Sequence, residues 1–81
     1  MDQKLLKKIL AGSKNINFDD FVKLVIGFGF VQDRVHESHN IFKKEGIKEL
    51  VNIQNVSGEV KPYQIKQFLS IIEKYNLTLL G

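Results

Sequence analysis

Between residues 30 and 54, three strand-like segments follow one another with very little chain between them. Residues 30–35, 38–44 and 47–54 have strand character, and they are joined only by His36-Glu37 and Glu45-Gly46. Parallel neighbours need a crossover of about a dozen or more residues, so connections this short require antiparallel hairpins. The sequence therefore predicts a three-stranded antiparallel sheet, against which the remaining segments must pack.

Apolar residues at helical spacing predict two helices before this sheet and one after it. The first covers residues 5–10, and the second covers about residues 18–28 with Asn17 as its N-cap. Residues 55–60 are predicted to be a loop, after which Pro62 opens the last helix. The predicted buried stripe of this helix is Ile65, Phe68, Leu69, Ile72 and Tyr75. The order α-α-β-β-β-α predicts an α+β fold with helices on one sheet face, because the sheet must bury a core.

Chain length and composition narrow the classes of protein. The 81 residues suffice for one domain, which we assign to residues 1–81. The absence of cysteine excludes a disulfide framework and a cysteine nucleophile, and it fits a reducing cytosol. No apolar run approaches the roughly 18 residues that span a bilayer, and the N-terminus lacks a signal-peptide core. We therefore expect a cytoplasmic protein without membrane association, and the net charge of +3 fits a phosphate-bearing partner.

His39 is the most interesting side chain for chemistry, since it lies at a predicted strand start beside a hairpin turn. Imidazole both gives and takes a proton near neutrality, so His39 is a candidate general acid or base. The alternative is a structural histidine hydrogen-bonded at a strand end, and local chemistry alone favours that alternative. His36 lies three residues away, but no third ligand is apparent for a metal site.

The cationic candidates also have two interpretations each. Arg34 is either an exposed cross-strand charge or a clamp on a phosphate. Lys61 precedes a helix N-terminus, where backbone N–H groups favour anions, but it is also a plausible surface charge. The chain contains no glycine-rich phosphate loop, so no nucleotide cofactor is expected.

The segment Arg34-Val35-His36-Glu37-Ser38-His39-Asn40-Ile41-Phe42 resembles a motif of the HicA toxins. That motif is an arginine, two residues, Gly-Ser-His, and then an Ile/Tyr/Phe pattern. Further segments in the same order resemble a longer-headed branch of the family: residues 9–16, Gly29-Phe30, Val51-Asn52-Ile53-Gln54 and Lys61-Pro62-Tyr63-Gln64-Ile65. The resemblance therefore covers nearly the whole chain.

This resemblance implies a fold, an activity and a partner. The family fold is a small double-stranded-RNA-binding-domain-like layer with a three-stranded antiparallel sheet. Its members are mRNA interferases that cleave RNA without a metal or other cofactor, and a HicB-like antitoxin inhibits them. The catalytic histidine of the family corresponds to His39. Arg34, Ser38, Lys43 and Lys61 are the expected RNA-binding residues.

One position departs from the family motif, because Glu37 stands where the family has glycine. Glycine suits the positive φ of a tight hairpin turn, so we expect a longer or differently shaped turn here. A carboxylate close to His39 would favour the protonated imidazole and repel a phosphate. Glu37 and His36 are therefore possible modulators, and either is a candidate for a second proton-transfer group.

Three functions stay open at this point: an endoribonuclease toxin, a catalytically weak or inactive RNA-binding module derived from one, and a protein-interaction domain. The face of the sheet that carries His39 is also open. If Ile41 points to the core, His39 lies at the rim of the covered face. If Phe42 does so, His39 lies on the uncovered face.

Overall fold

We describe the fold from a computed structural model, which covers residues 3–12 and 15–79, with side chains from residue 6 onward. Residues 13 and 14, which belong to the predicted end of the first helix, lie outside these ranges. In chain order, the elements are α1 Gln3–Leu10, β1 Ile16–Asn17, α2 Phe18–Gly27, β2 Val31–His36, β3 His39–Lys43, β4 Val51–Gln54, β5 Glu59–Val60 and α3 Pro62–Tyr75. Apart from the short strands β1 and β5, this is the predicted α-α-β-β-β-α order.

The central sheet has the strand order β2-β3-β4, and both strand pairs are antiparallel. Phe42 of β3 lies opposite Gln32 on one side and Val51 on the other. The α+β class and the three-stranded antiparallel sheet are thus confirmed, and the arrangement is consistent with a double-stranded-RNA-binding-domain-like fold. No helix in the described part of the chain is long and apolar enough to cross a membrane.

The helices cover one face of this sheet. Phe42, Val51 and Ile53 alternate with exposed or half-buried neighbours and point to the covered side. They belong to one apolar core with residues from all three helices and the short ribbon. The other members of that core are Ile9, Ile16, Phe21, Leu24, Val25, Phe28, Phe30, Val60, Ile65, Phe68 and Ile71. The opposite face, which we call the open face, contributes none of them.

The helix ends follow the local sequence. The side chain of Asn17 caps α2 by accepting a hydrogen bond from the backbone N–H of Asp20 at 3.1 Å, as predicted. Pro62 is the first residue of α3, where its missing N–H costs no intrahelical bond. Asn76 ends α3 in the left-handed conformation with φ 51°.

The predicted strand over residues 47–54 is too long, since β4 begins only at Val51. Glu49 explains the difference, because its carboxylate is held by α3 rather than by the sheet. It accepts hydrogen bonds from Lys74 Nζ at 2.7 Å and from the Tyr75 hydroxyl at 2.5 Å. Residues 47–50 therefore run along α3, and only the buried alternation of Val51 and Ile53 forms a strand.

The predicted loop over residues 55–60 also needs correction. Glu59 and Val60 form β5, which pairs antiparallel with β1 at Ile16–Asn17. Ile16 and Val60 lie opposite each other and are 1% and 2% exposed, so the pairing buries two branched apolar side chains. This two-stranded ribbon joins the start of α2 to the start of α3.

Low pH is expected to weaken the contact between Glu49 and α3. The hydrogen bonds from Lys74 and Tyr75 lower the pKa of Glu49 from 4.5 to about 2. A carboxyl with a depressed pKa stabilises the fold above its unfolded-state value and loses that contribution as pH falls towards the folded value. At pH 7 the melting temperature of wild type should exceed that of Glu49→Gln, and the two melting temperatures should converge as the pH falls from 4.5 to about 2. A difference in melting temperature that is unchanged at about pH 2 would contradict this assignment.

Candidate active site

His39 is the first residue of β3 and lies on the open face of the sheet. Of Ile41 and Phe42, it is Phe42 that points into the core: Phe42 is 1% exposed, whereas Ile41 is only half-buried. His39 has the same parity as Ile41, so its half-buried ring projects away from the helices. The open face carries Val31, Arg34 and His36 on β2, His39, Ile41 and Lys43 on β3, and Asn52 and Gln54 on β4.

The imidazole of His39 has a defined partner on the neighbouring strand. Its Nδ1 lies 3.0 Å from Oδ1 of Asn52. Asn52 is opposite Ile41 in the register, so this is a diagonal contact between β3 and β4. The contact occupies one ring nitrogen and leaves Nε2 for another molecule.

The hairpin turn that precedes His39 differs from our prediction. His36 is the last residue of β2 and lies directly opposite His39, so the turn contains only Glu37 and Ser38. The expected lengthening of the turn is therefore wrong. Glu37 instead takes φ 57°, which costs a non-glycine residue about 1–2 kcal/mol. The turn keeps the geometry that suits glycine, and Glu37 bears the strain.

Ser38 is tied to the last residue of β4. Its Oγ accepts a hydrogen bond from Nε2 of Gln54 at 3.1 Å. The backbone N–H of Gln54 in turn donates to Oε1 of Gln64, a buried residue in the first turn of α3, at 3.1 Å. These contacts connect the turn, the end of β4 and the N-terminus of α3.

Arg34 and Lys43 are both on the open face, and one carboxylate joins them. Asp33 is the extra residue at an irregularity of β2 between Gln32 and Arg34. Its side chain lies 2.8 Å from the Arg34 guanidinium and 3.3 Å from Lys43 Nζ. Both cations are more than half exposed, so the pairing is weak and a phosphate can compete with it.

Lys61 is not part of the sheet surface. It is the exposed N-cap residue of α3 and makes no side-chain capping bond. The contact between Gln64 and Gln54 places this helix end beside the sheet end that carries His39, because Gln54 lies opposite His39. The structure thus brings Arg34, His36, Ser38, His39 and Lys43 onto one surface and leaves Lys61 at its border.

Asn52 and Gln54 belong to a segment that resembles the family, but neither they nor Asp33 were predicted to have a role in the site. The alternation Val51-Asn52-Ile53-Gln54 contains a usable signal, since it places both polar side chains on the face opposite the core. The register that sets Asn52 beside His39 is not visible in that alternation. The position of Asp33 depends on the irregularity of β2 between Gln32 and Arg34, and no glycine in this segment indicates it. In the described ranges, no group of three or more His, Asp or Glu side chains is placed to hold a metal ion.

The comparison with protein families gives one match. The family model described as "HicA toxin of bacterial toxin-antitoxin" matches residues 18–73, which is more than half of the chain and includes α2, the whole sheet and most of α3. His39 and every open-face residue named above fall inside the matched region. No curated protein and no solved structure gives a significant match.

Proposed function

The chain belongs to the HicA family of toxins from bacterial toxin–antitoxin systems, and from that premise we propose that it is a metal-independent endoribonuclease acting on mRNA in the cytoplasm. In this proposal His39 is the general acid or base, and a HicB-like antitoxin inhibits the enzyme. The observation that carries the proposal is the position of His39. Its half-buried ring is on the open face and contacts Asn52 through Nδ1, so that contact leaves Nε2 for RNA.

RNA supplies its own nucleophile, so the protein has only to move protons and stabilise charge. The 2′-oxygen attacks the adjacent phosphorus, forming a P–O2′ bond while the P–O5′ bond breaks. A base takes the proton of the 2′-hydroxyl, and an acid gives a proton to the leaving O5′. The products are a 2′,3′-cyclic phosphate and a 5′-hydroxyl, and no water or metal enters this balance.

His36 is our candidate for the second proton-transfer group. It lies directly opposite His39 in the hairpin register and on the same face. Such cross-strand partners have Cβ atoms about 4.5–5.5 Å apart, a separation that lets two imidazoles flank one phosphate. Two imidazoles of opposite protonation state produce a bell-shaped dependence of rate on pH. If the cleavage rate of the wild-type protein changed with pH in only one direction, His36 would not be the second proton-transfer group.

We assign the phosphate contacts to Arg34, Lys43 and Ser38 on the open face and to Lys61 at its border. The guanidinium of Arg34 can hold two phosphate oxygens at once, and Lys43 adds a point charge. Asp33 pairs with both cations in the free protein, and RNA must displace it. Affinity for RNA should therefore fall as salt concentration rises.

The proposed antitoxin covers His39, the surrounding cations, or both. Val31, an exposed apolar side chain among the cations of the open face, supports binding of a protein partner there. The product of a small reading frame next to this one should abolish cleavage and compete with RNA. A neighbouring product that binds the toxin but leaves cleavage unchanged would contradict this part of the proposal.

Cleavage of a defined RNA oligonucleotide tests the activity directly. The wild-type chain should cut single-stranded RNA, and the rate should be the same with EDTA present. Replacing the 2′-hydroxyl by hydrogen at the cleaved position should block the reaction, because it removes the nucleophile. Cleavage of the 2′-deoxy substrate would contradict the mechanism, and loss of activity in EDTA would indicate a metal-dependent nuclease.

The second candidate function is a catalytically weak RNA-binding module. The observation in its favour is Glu37, which occupies a left-handed position with a charged side chain in the turn before His39. Under this alternative, wild type binds RNA in a salt-dependent manner without producing fragments, whereas Glu37→Gly restores cleavage. Under the main proposal wild type already cleaves, and Glu37→Gly mainly raises thermal stability by removing the strain.

A further inference from the structure

Asn52 lies on the open face with its side-chain amide directed at His39. The 3.0 Å contact joins Asn52 Oδ1 to His39 Nδ1. With the amide oxygen facing the ring, the imidazole nitrogen is the donor, because an amide oxygen only accepts, and in this arrangement Nδ1 carries the proton. The other nitrogen of the neutral ring, Nε2, then has a free lone pair.

We propose that Asn52 is a positioning residue that holds His39 in the Nδ1–H tautomer and makes Nε2 the atom that exchanges protons with RNA. The catalytic consequence rests on the proposed ribonuclease function, whereas the tautomer is a property of the free protein. In this proposal Asn52 acts through His39 and not through a bond to the reacting atoms.

The surroundings of Asn52 explain how a surface amide can have a defined position. Its two neighbours along β4, Val51 and Ile53, are both buried in the core. The backbone of the next residue, Gln54, is hydrogen-bonded to the buried side chain of Gln64. The strand is therefore anchored from the covered side, and the Asn52 side chain extends from this anchored backbone towards the ring.

An amide suits this position better than a carboxylate would. When Nε2 carries a proton in the course of the reaction, His39 is an imidazolium with two N–H groups. Asn52 continues to accept from Nδ1–H, and this bond strengthens because its donor is now charged. Since the amide is neutral, it does not hold the ring in the protonated form beforehand, as an aspartate would.

Nitrogen-15 NMR of the histidine rings tests the tautomer in the complete chain without RNA. The chain has only two histidines, so exposed His36 serves as the internal reference. At about pH 8, where imidazole is neutral, wild-type His39 should show a protonated Nδ1 and an unprotonated Nε2. Asn52→Ala should return His39 to the exposed-histidine pattern, in which Nε2–H predominates. A wild-type ring protonated at Nε2 would mean that the amide is turned to donate, and it would overturn the inference.

Kinetics then test the consequence for catalysis. Asn52→Ala should lower kcat about 10- to 100-fold, the rate equivalent of one hydrogen bond to a charged donor, with KM nearly unchanged. Asn52→Asp keeps an acceptor at the same place, so it should retain the Nδ1–H tautomer, and its carboxylate should move the limb of the pH–rate profile that belongs to His39 to higher pH. If the role of Asn52 were merely structural, Asn52→Ala would leave the tautomer of His39 unchanged.

The outcomes also separate this inference from the proposed function. A protein that shows the Nδ1–H tautomer but never cleaves RNA would refute the ribonuclease and the catalytic half of the inference together. A protein that cleaves RNA at an unchanged rate after Asn52→Ala, with its melting temperature retained, would refute the inference alone.

Discussion

The His39→Ala variant is expected to lose RNA cleavage by a factor of about 10²–10⁴ while keeping its fold. This range is the usual contribution of a positioned general acid or base. The fold should persist because His39 projects from the open face, is not a member of the apolar core, and contacts Asn52 by a side-chain hydrogen bond at the surface. The same substitution should leave RNA affinity largely intact, since the phosphate contacts belong to other side chains.

The measurement is the initial rate of fragment formation, with circular dichroism and a thermal melt on the same sample. Val31→Ala is the matched control. Val31 lies on the open face at the end of β2 that is distant from His39, and it is 56% exposed. Its truncation should therefore change neither the cleavage rate nor the stability appreciably. A folded His39→Ala protein with wild-type rate would refute the assignment of His39 as the catalytic residue.

The arrangement of the sheet could be predicted from the sequence, because it depends on the lengths of the connections between strands. Short connections permit only antiparallel neighbours, and this restriction still holds for the observed connections, residues 37–38 between β2 and β3 and residues 44–50 between β3 and β4. The ends of the strands were harder to predict, because they depend on contacts between residues that are distant in sequence. Residues 47–50 have strand composition, but the bonds from Lys74 and Tyr75 to Glu49 draw them towards α3. The ribbon between β1 and β5 likewise joins segments more than 40 residues apart.

In the candidate site, too, some features could be predicted from the sequence and others depend on contacts between distant segments. His39 was identified because the order of motifs along the whole chain resembles a known family, whereas its immediate neighbours favoured a structural role. The alternation of side chains along β3 allowed His39 to lie on either face of the sheet, and the burial of Phe42 decides between the two faces. Asn52 requires the register of β3 against β4, which the sequence does not specify. The conformation of Glu37 shows that a hairpin can retain its two-residue turn despite an unfavourable residue.

The largest loss of stability is expected from Phe68→Ala. Phe68 of α3 is 1% exposed, and its ring meets three other aromatic rings edge-on. The ring centroids of Phe21, Phe28 and Phe30 lie 5.4, 5.6 and 5.8 Å away. Truncation removes all three contacts and leaves a cavity between α2 and α3, which costs about 3–5 kcal/mol for a buried phenylalanine. Small domains lie near the lower end of the usual range of about 5–15 kcal/mol, so most of the stability would be lost.

Urea unfolding followed by circular dichroism measures this loss. Lys66→Ala is the matched control, because Lys66 is exposed on the same helix and its truncation should change the free energy of unfolding by less than about 0.5 kcal/mol. The aromatic cluster lies on the covered side of the sheet and His39 on the open side, so cleavage should fall only in proportion to the unfolded fraction. If Phe68→Ala instead lost cleavage while fully folded, the core and the open face would be coupled, and the independence of the two sides of the sheet would be wrong.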